Sequence, residues 1–64
     1  MINVTVVVDG KTVATAYSPT PDALPDIVAE TTSQWEQSPS YVWEREEKIK
    51  DASGQLSEVK IIYR

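Results

Sequence analysis

The chain is predicted to fold as an α+β domain of ββαββ order, with one helix laid across a four-stranded sheet. Three observations carry this reading. Residues 2–17 form two β-rich runs about an Asp-Gly turn, residues 22–37 repeat apolar side chains at helical spacing, and residues 41–64 form a second pair of runs about a glycine-containing turn. One helix on four strands lets each layer bury its apolar face against the other.

In the first run Ile2, Val4, Val6 and Val8 alternate with Asn3, Thr5 and Val7, the period of a strand with one buried face. Asp9-Gly10 tolerates the positive φ angles of a type I′ turn. A two-residue turn sets Val6 against Val13, Val4 against Thr15 and Ile2 against Tyr17. It leaves Asn3, Thr5, Val7, Thr12, Ala14 and Ala16 for solvent. A three-residue loop with a bulge pairs Val6 with Ala14 instead; the first register is preferred because it keeps the apolar residues of both strands together.

Ser18-Pro19-Thr20-Pro21 then breaks the sheet, since proline offers no ladder donor and biases its predecessor away from helix. Leu24, Ile27, Val28, Thr31 and Trp35 follow at i, i+3, i+4, i+7 and i+11, one stripe of an amphipathic helix over about 22–37. Pro25 falls in its first turn, Thr20 or Asp22 is the expected N-cap, and Ser38-Pro39 closes it. Thr31-Thr32-Ser33 are poor helix formers, so packing holds this helix more than propensity does.

The second hairpin pairs Tyr41–Lys50 with Leu56–Arg64, and Gly54 fits the left-handed position of its turn. With Asp51 opposite Gln55, Lys48 meets Glu58 and Glu46 meets Lys60 on one face. The other face collects Trp43, Ile49, Val59, Ile61 and Tyr63. Arg45 and Glu47 share that second face and fit it only if the third strand is bulged or runs past the helix. Trp35, Tyr41, Trp43 and Tyr63 are assigned to the core, because a small core without phenylalanine needs large side chains. One of them has room to surface beside Pro39.

Composition excludes more than it assigns. A chain of 64 residues is one domain, residues 1–64, and hides only about 60% of the surface its unfolded form exposes. It has no cysteine and no histidine, which removes disulfides, thiol chemistry, the usual zinc sets and the common catalytic bases and nucleophiles. Glu44 and Glu46 could form a carboxylate pair, but Glu46 on a solvated face beside a lysine is the simpler account. Two glycines make no phosphate loop, and no carboxylates show calcium-loop spacing. The expectation is a non-enzymatic protein without cofactor or metal.

A net charge of -4 argues against nucleic-acid binding, which needs clustered Lys and Arg. The longest apolar run is Val6-Val7-Val8, so no membrane segment is expected. The start at Met1 reads as a cytoplasmic product unless the chain is excised from a larger surface protein. Asn3-Val4-Thr5 matches a glycosylation sequon but lies in a strand, and the three Ser/Thr-Pro pairs are explained by turn and cap duty.

The element order and Val8-Asp9-Gly10-Lys11-Thr12-Val13 in particular resemble the β-grasp immunoglobulin-binding domains of proteins G and L. The residue-level match covers the first hairpin; the helix is richer in proline and the second hairpin longer than in that family. The resemblance implies a mixed sheet of order 2-1-4-3 and immunoglobulin as a partner, met through the second strand.

In that order the outer strands are the second and third, and only the third is guarded by many charges. The second, Lys11, Thr12, Val13, Ala14, Thr15, Ala16 and Tyr17, carries one lysine at its start. An unblunted edge is a template for strand addition by another protein or for self-association. This protein-binding edge is the leading candidate site. The alternative is the acidic helix, Asp22, Asp26, Glu30 and Glu36, which has no basic residue on it and suits a basic partner, as in a small phage-encoded inhibitor or nucleic-acid mimic. Asp22 and Asp26 complement the positive helix N-terminus; Glu30 and Glu36 are read as having no such structural duty.

Overall fold

A computed structural model describes residues 1–64. Strands β1 (Ile2–Val8) and β2 (Lys11–Ser18), helix α1 (Leu24–Glu36), and strands β3 (Trp43–Lys50) and β4 (Leu56–Tyr63) follow one another along the chain. The sheet order is β2-β1-β4-β3, with β1 and β4 parallel at the centre and each hairpin antiparallel. The architecture is the expected one and is compatible with a β-grasp-like fold.

The two central strands bear the core because they alone have a neighbour on each side and the helix above. Val4 lies beside Val59 and Val6 beside Ile61, and these four are buried with Ile2, Val8, Tyr63 and Trp35. Helix α1 rests mainly on β1 and β2. Its Trp35 and the half-buried Leu24 and Val28 close the core from above. No helix is long and apolar enough to cross a membrane.

The first hairpin corrects the preferred register. Asp9 and Gly10 both have positive φ, 50° and 79°, so the turn has two residues and Val8 faces Lys11. The ladder then slips: Val7 faces Thr12 but Val6 faces Ala14, which leaves Val13 as an extra residue in β2. Beyond this bulge Val4 faces Ala16 and Ile2 faces Ser18. Ala14, Ala16 and Ser18 therefore lie under the helix and are half-buried or buried, whereas Thr15 and Tyr17 are exposed. Residue size is the reason. The helix lies directly over this strand and leaves room for alanine and serine but not tyrosine. Ser18, wholly buried, satisfies its hydroxyl by donating to the Thr20 carbonyl at 2.6 Å.

Thr20 also stands at the start of the helical segment, accepting a 3.3 Å hydrogen bond from the Ala23 amide. Ala23 itself occupies the N-cap position and gives no side-chain cap; Asp22 does not serve as one. The hydroxyls of Thr31 and Thr32 donate back to the carbonyls of Ile27 and Val28, at 2.6 and 2.8 Å. Thr32, outside the predicted stripe, is buried, which that bond permits.

The second hairpin turns as expected, with Gly54 at φ 86° and Asp51 Oδ1 accepting from the Ser53 and Gln55 amides at 2.9 and 3.1 Å. Two bulges then displace its pairing, one leaving Ser57 over in β4 and one leaving Glu44 over in β3. The predicted Lys48–Glu58 and Glu46–Lys60 pairs do not form. Glu47 faces Lys60, Ile49 faces Glu58, Lys48 faces Val59 and Glu46 faces Ile61. Arg45, Glu47 and Ile49 thus occupy the open face of the sheet, which resolves their misfit. Ile49 is exposed, as are Tyr41 and Trp43, so the core reading holds for Trp35 and Tyr63 alone.

Candidate binding edge

The site is built on β2, the outer strand whose far side meets no other strand. Which of its backbone groups are free follows from the central strand. The Asp9 amide donates to the Tyr63 carbonyl at 3.3 Å, so the odd residues of β1 direct their polar groups at β4 and the even ones at β2, because strand residues alternate. In an antiparallel ladder a bonded pair exchanges both hydrogen bonds. Lys11, Ala16 and Ser18, opposite Val8, Val4 and Ile2, are accordingly turned inward. Thr15 and Tyr17 are turned outward, and so is Thr12 on the far side of the bulge.

Side chains alternate perpendicular to this. Ala14 and Ala16 lie on the helix side. Thr15 and Tyr17 flank the edge on the open face; Tyr17 is 60% and the bulged Val13 46% exposed. The edge is uncharged from Thr12 to Ser18 and ends at Pro19. All seven sequence-chosen residues, Lys11 to Tyr17, lie on this one edge.

The opposite edge differs in kind. Six of the eight residues of β3 are charged, and Glu44 is held between the guanidinium groups of Arg45 and Arg64, the latter at 2.8 Å. The hydrogen bond from Arg64 holds the Glu44 carboxyl below the usual carboxylate range. A strand meeting this edge would have to displace such charges, the means by which natural sheets block edge pairing.

The helix acids divide. Asp22, Asp26 and Glu30 are exposed, and none lies in a salt bridge. Glu36 has a structural role that the sequence concealed, since its Oε1 accepts from the Tyr63 hydroxyl at 2.6 Å. Burial first, and that carboxylate second, push the Tyr63 phenol up to about 12. The protonated phenol is the form the fold favours, so this stability is intact below pH 10 and is lost as pH rises from about 10 to about 12. Chemical denaturation should show wild type losing on the order of 2 kcal/mol more than Tyr63→Phe over that window. An identical pH slope in the variant would contradict the bond.

Sequence reasoning missed a second exposed group, Tyr41-Val42-Trp43. Val42 and Arg64 exchange backbone hydrogen bonds of 3.2 and 2.8 Å, which extends the β3–β4 pairing past the end of α1, where no helix covers the aromatics. Two clefts open on the surface. One, of about 420 Å³, is lined by Met1, Ile2, Pro19, Pro21, Gln55 and Leu56; the other, of about 250 Å³, lies between Leu24, Pro25 and Val28 and the β3–β4 residues Glu46, Lys48 and Val59. The second holds the Glu46–Lys48 ion pair, at 3.7 Å.

No family model matches this chain, and no curated protein or solved structure matches it either.

Proposed function

We propose that this chain is a small non-enzymatic protein-binding module that adds its β2 edge to a partner's sheet. The observation that carries this reading is the contrast between the two edges: β3 is barred by charges and an ion network, while β2 offers the outward backbone groups of Thr15 and Tyr17 with no charge beside them. Main-chain hydrogen bonds would supply affinity, and the side chains of Val13, Thr15 and Tyr17 would supply selectivity. The resemblance of the first hairpin to the proteins G and L domains makes immunoglobulin the first partner to try.

The test is capture on the immobilised domain, from serum immunoglobulin and from lysate, at low and high salt. Retention that persists at high salt supports edge addition, because main-chain pairing does not rest on exposed charges.

A second reading is favoured by one observation, the run of exposed Asp22, Asp26 and Glu30 with no cation paired to them. An acidic surface of this kind fits a basic partner and an inhibitor or nucleic-acid mimic. Its capture is lost at high salt, and Asp26→Lys with Glu30→Lys abolishes it. Edge binding survives that double change.

A further inference from the structure

We infer that, in the absence of another partner, the β2 edge is occupied by the β2 edge of a second copy of this chain, in an antiparallel register centred on Ala16. The inference rests on the edge reading above and names its occupant.

The register follows from what limits the edge. The bulge at Val13 interrupts it on one side and Pro19, which has no amide hydrogen, on the other. The regular segment is Ala14–Ser18, and its outward groups belong to Thr15 and Tyr17. A two-fold axis at Thr15 would set Tyr17 against the bulged Val13 of the other copy. An axis at Tyr17 would set Thr15 against Pro19, which cannot donate. An axis at Ala16 sets Thr15 against Tyr17 and Tyr17 against Thr15, so that four outward donors and acceptors on each copy find partners.

The side chains agree with this register. Ala16 meets its own counterpart in a non-hydrogen-bonded pair, where the strands' Cα atoms approach to about 4.5 Å. That pair lies on the helix side, where only a small residue fits between two helices. On the open face each Tyr17 covers a Thr15, an aromatic and β-branched pairing of the favourable kind.

A five-residue edge falls well short of a standard interface of about 1,600 Å², so the dimer is a weak, exchangeable one that a better strand displaces. Sedimentation from about 10 μM to about 1 mM should show wild type passing from monomer to dimer and Thr15→Pro remaining monomeric.

A wild type that stays monomeric throughout overturns the inference, as does a dimer that survives Thr15→Pro. Monomeric wild type with Thr15→Pro-sensitive capture would leave the proposed function standing. A Thr15→Pro-sensitive dimer with Thr15→Pro-insensitive capture would overturn the proposed function alone.

Discussion

Thr15→Pro is expected to abolish partner capture while the domain remains folded. The amide it deletes is turned away from β1, so no ladder hydrogen bond is lost, and proline is tolerated at such edge positions. The cost to the fold is about 1 kcal/mol for restraining φ in an extended strand. An incoming strand, by contrast, loses a donor and meets the pyrrolidine ring. At about 2 kcal/mol or more, this weakens binding by at least thirtyfold. Ala16→Pro is the internal control. Its amide is bonded to β1 opposite Val4, so that change costs about 3 kcal/mol and lowers the melting temperature by about 12 °C or more. Circular dichroism melts of both variants check the assignment. Equal destabilisation would mean that the inward and outward residues have been exchanged.

Trp35→Ala should have the largest effect on stability. Trp35 is the one side chain that the helix contributes to the fully buried cluster, whose other members all come from β1 and β4. Removing a buried aromatic costs about 3–5 kcal/mol, against a total of about 3–10 kcal/mol for a chain of this length. The variant is expected to melt about 15–30 °C lower or to be largely unfolded at 25 °C. A drop of less than about 5 °C would show that α1 does not depend on this anchor. With α1 loosened, Ala14 and Ala16 lose their cover and β2 its fixed register, so binding should fall along with stability.

The turns and the element order were legible because both rest on local chemistry. Asp9-Gly10 and Gly54 supply the positive φ that the turns need, and the prolines at 19, 21 and 25 mark where the sheet ends and the helix starts. The strand order followed from resemblance and from the need to bury the two most apolar strands. Register was only partly legible, since bulges at Val13, Glu44 and Ser57 shift every later residue to the other face, and the misfit of Arg45 and Glu47 called for a bulge without locating it. In β2 the informative property was size. Ala14 and Ala16 read as part of a mild outer face and Ser18 as the start of the break, but all three are small because the helix sits on them.

The same geometry explains the aromatics. Tyr41 and Trp43 stay exposed because α1 ends at Glu36 and lies over β1 and β2, away from the β3 edge. Glu36 could not be assigned from sequence because its partner Tyr63 lies 27 residues away and meets it only through the β4–α1 packing. For the candidate edge, the choice of β2 needed only the charge contrast between two outer strands. Identifying Thr15 and Tyr17 within it needed the Asp9–Tyr63 hydrogen bond, which sets the phase of the whole ladder.

The most direct measurement is residue-resolved amide hydrogen exchange, first on the dilute chain and then with a captured partner bound. The account predicts fast exchange at Thr15 and Tyr17 in the dilute chain, slow exchange at Ala16 and Ser18, and selective slowing of Thr15 and Tyr17 in the complex. Thr15 and Tyr17 amides already protected in the dilute chain, or unchanged on binding, would contradict it.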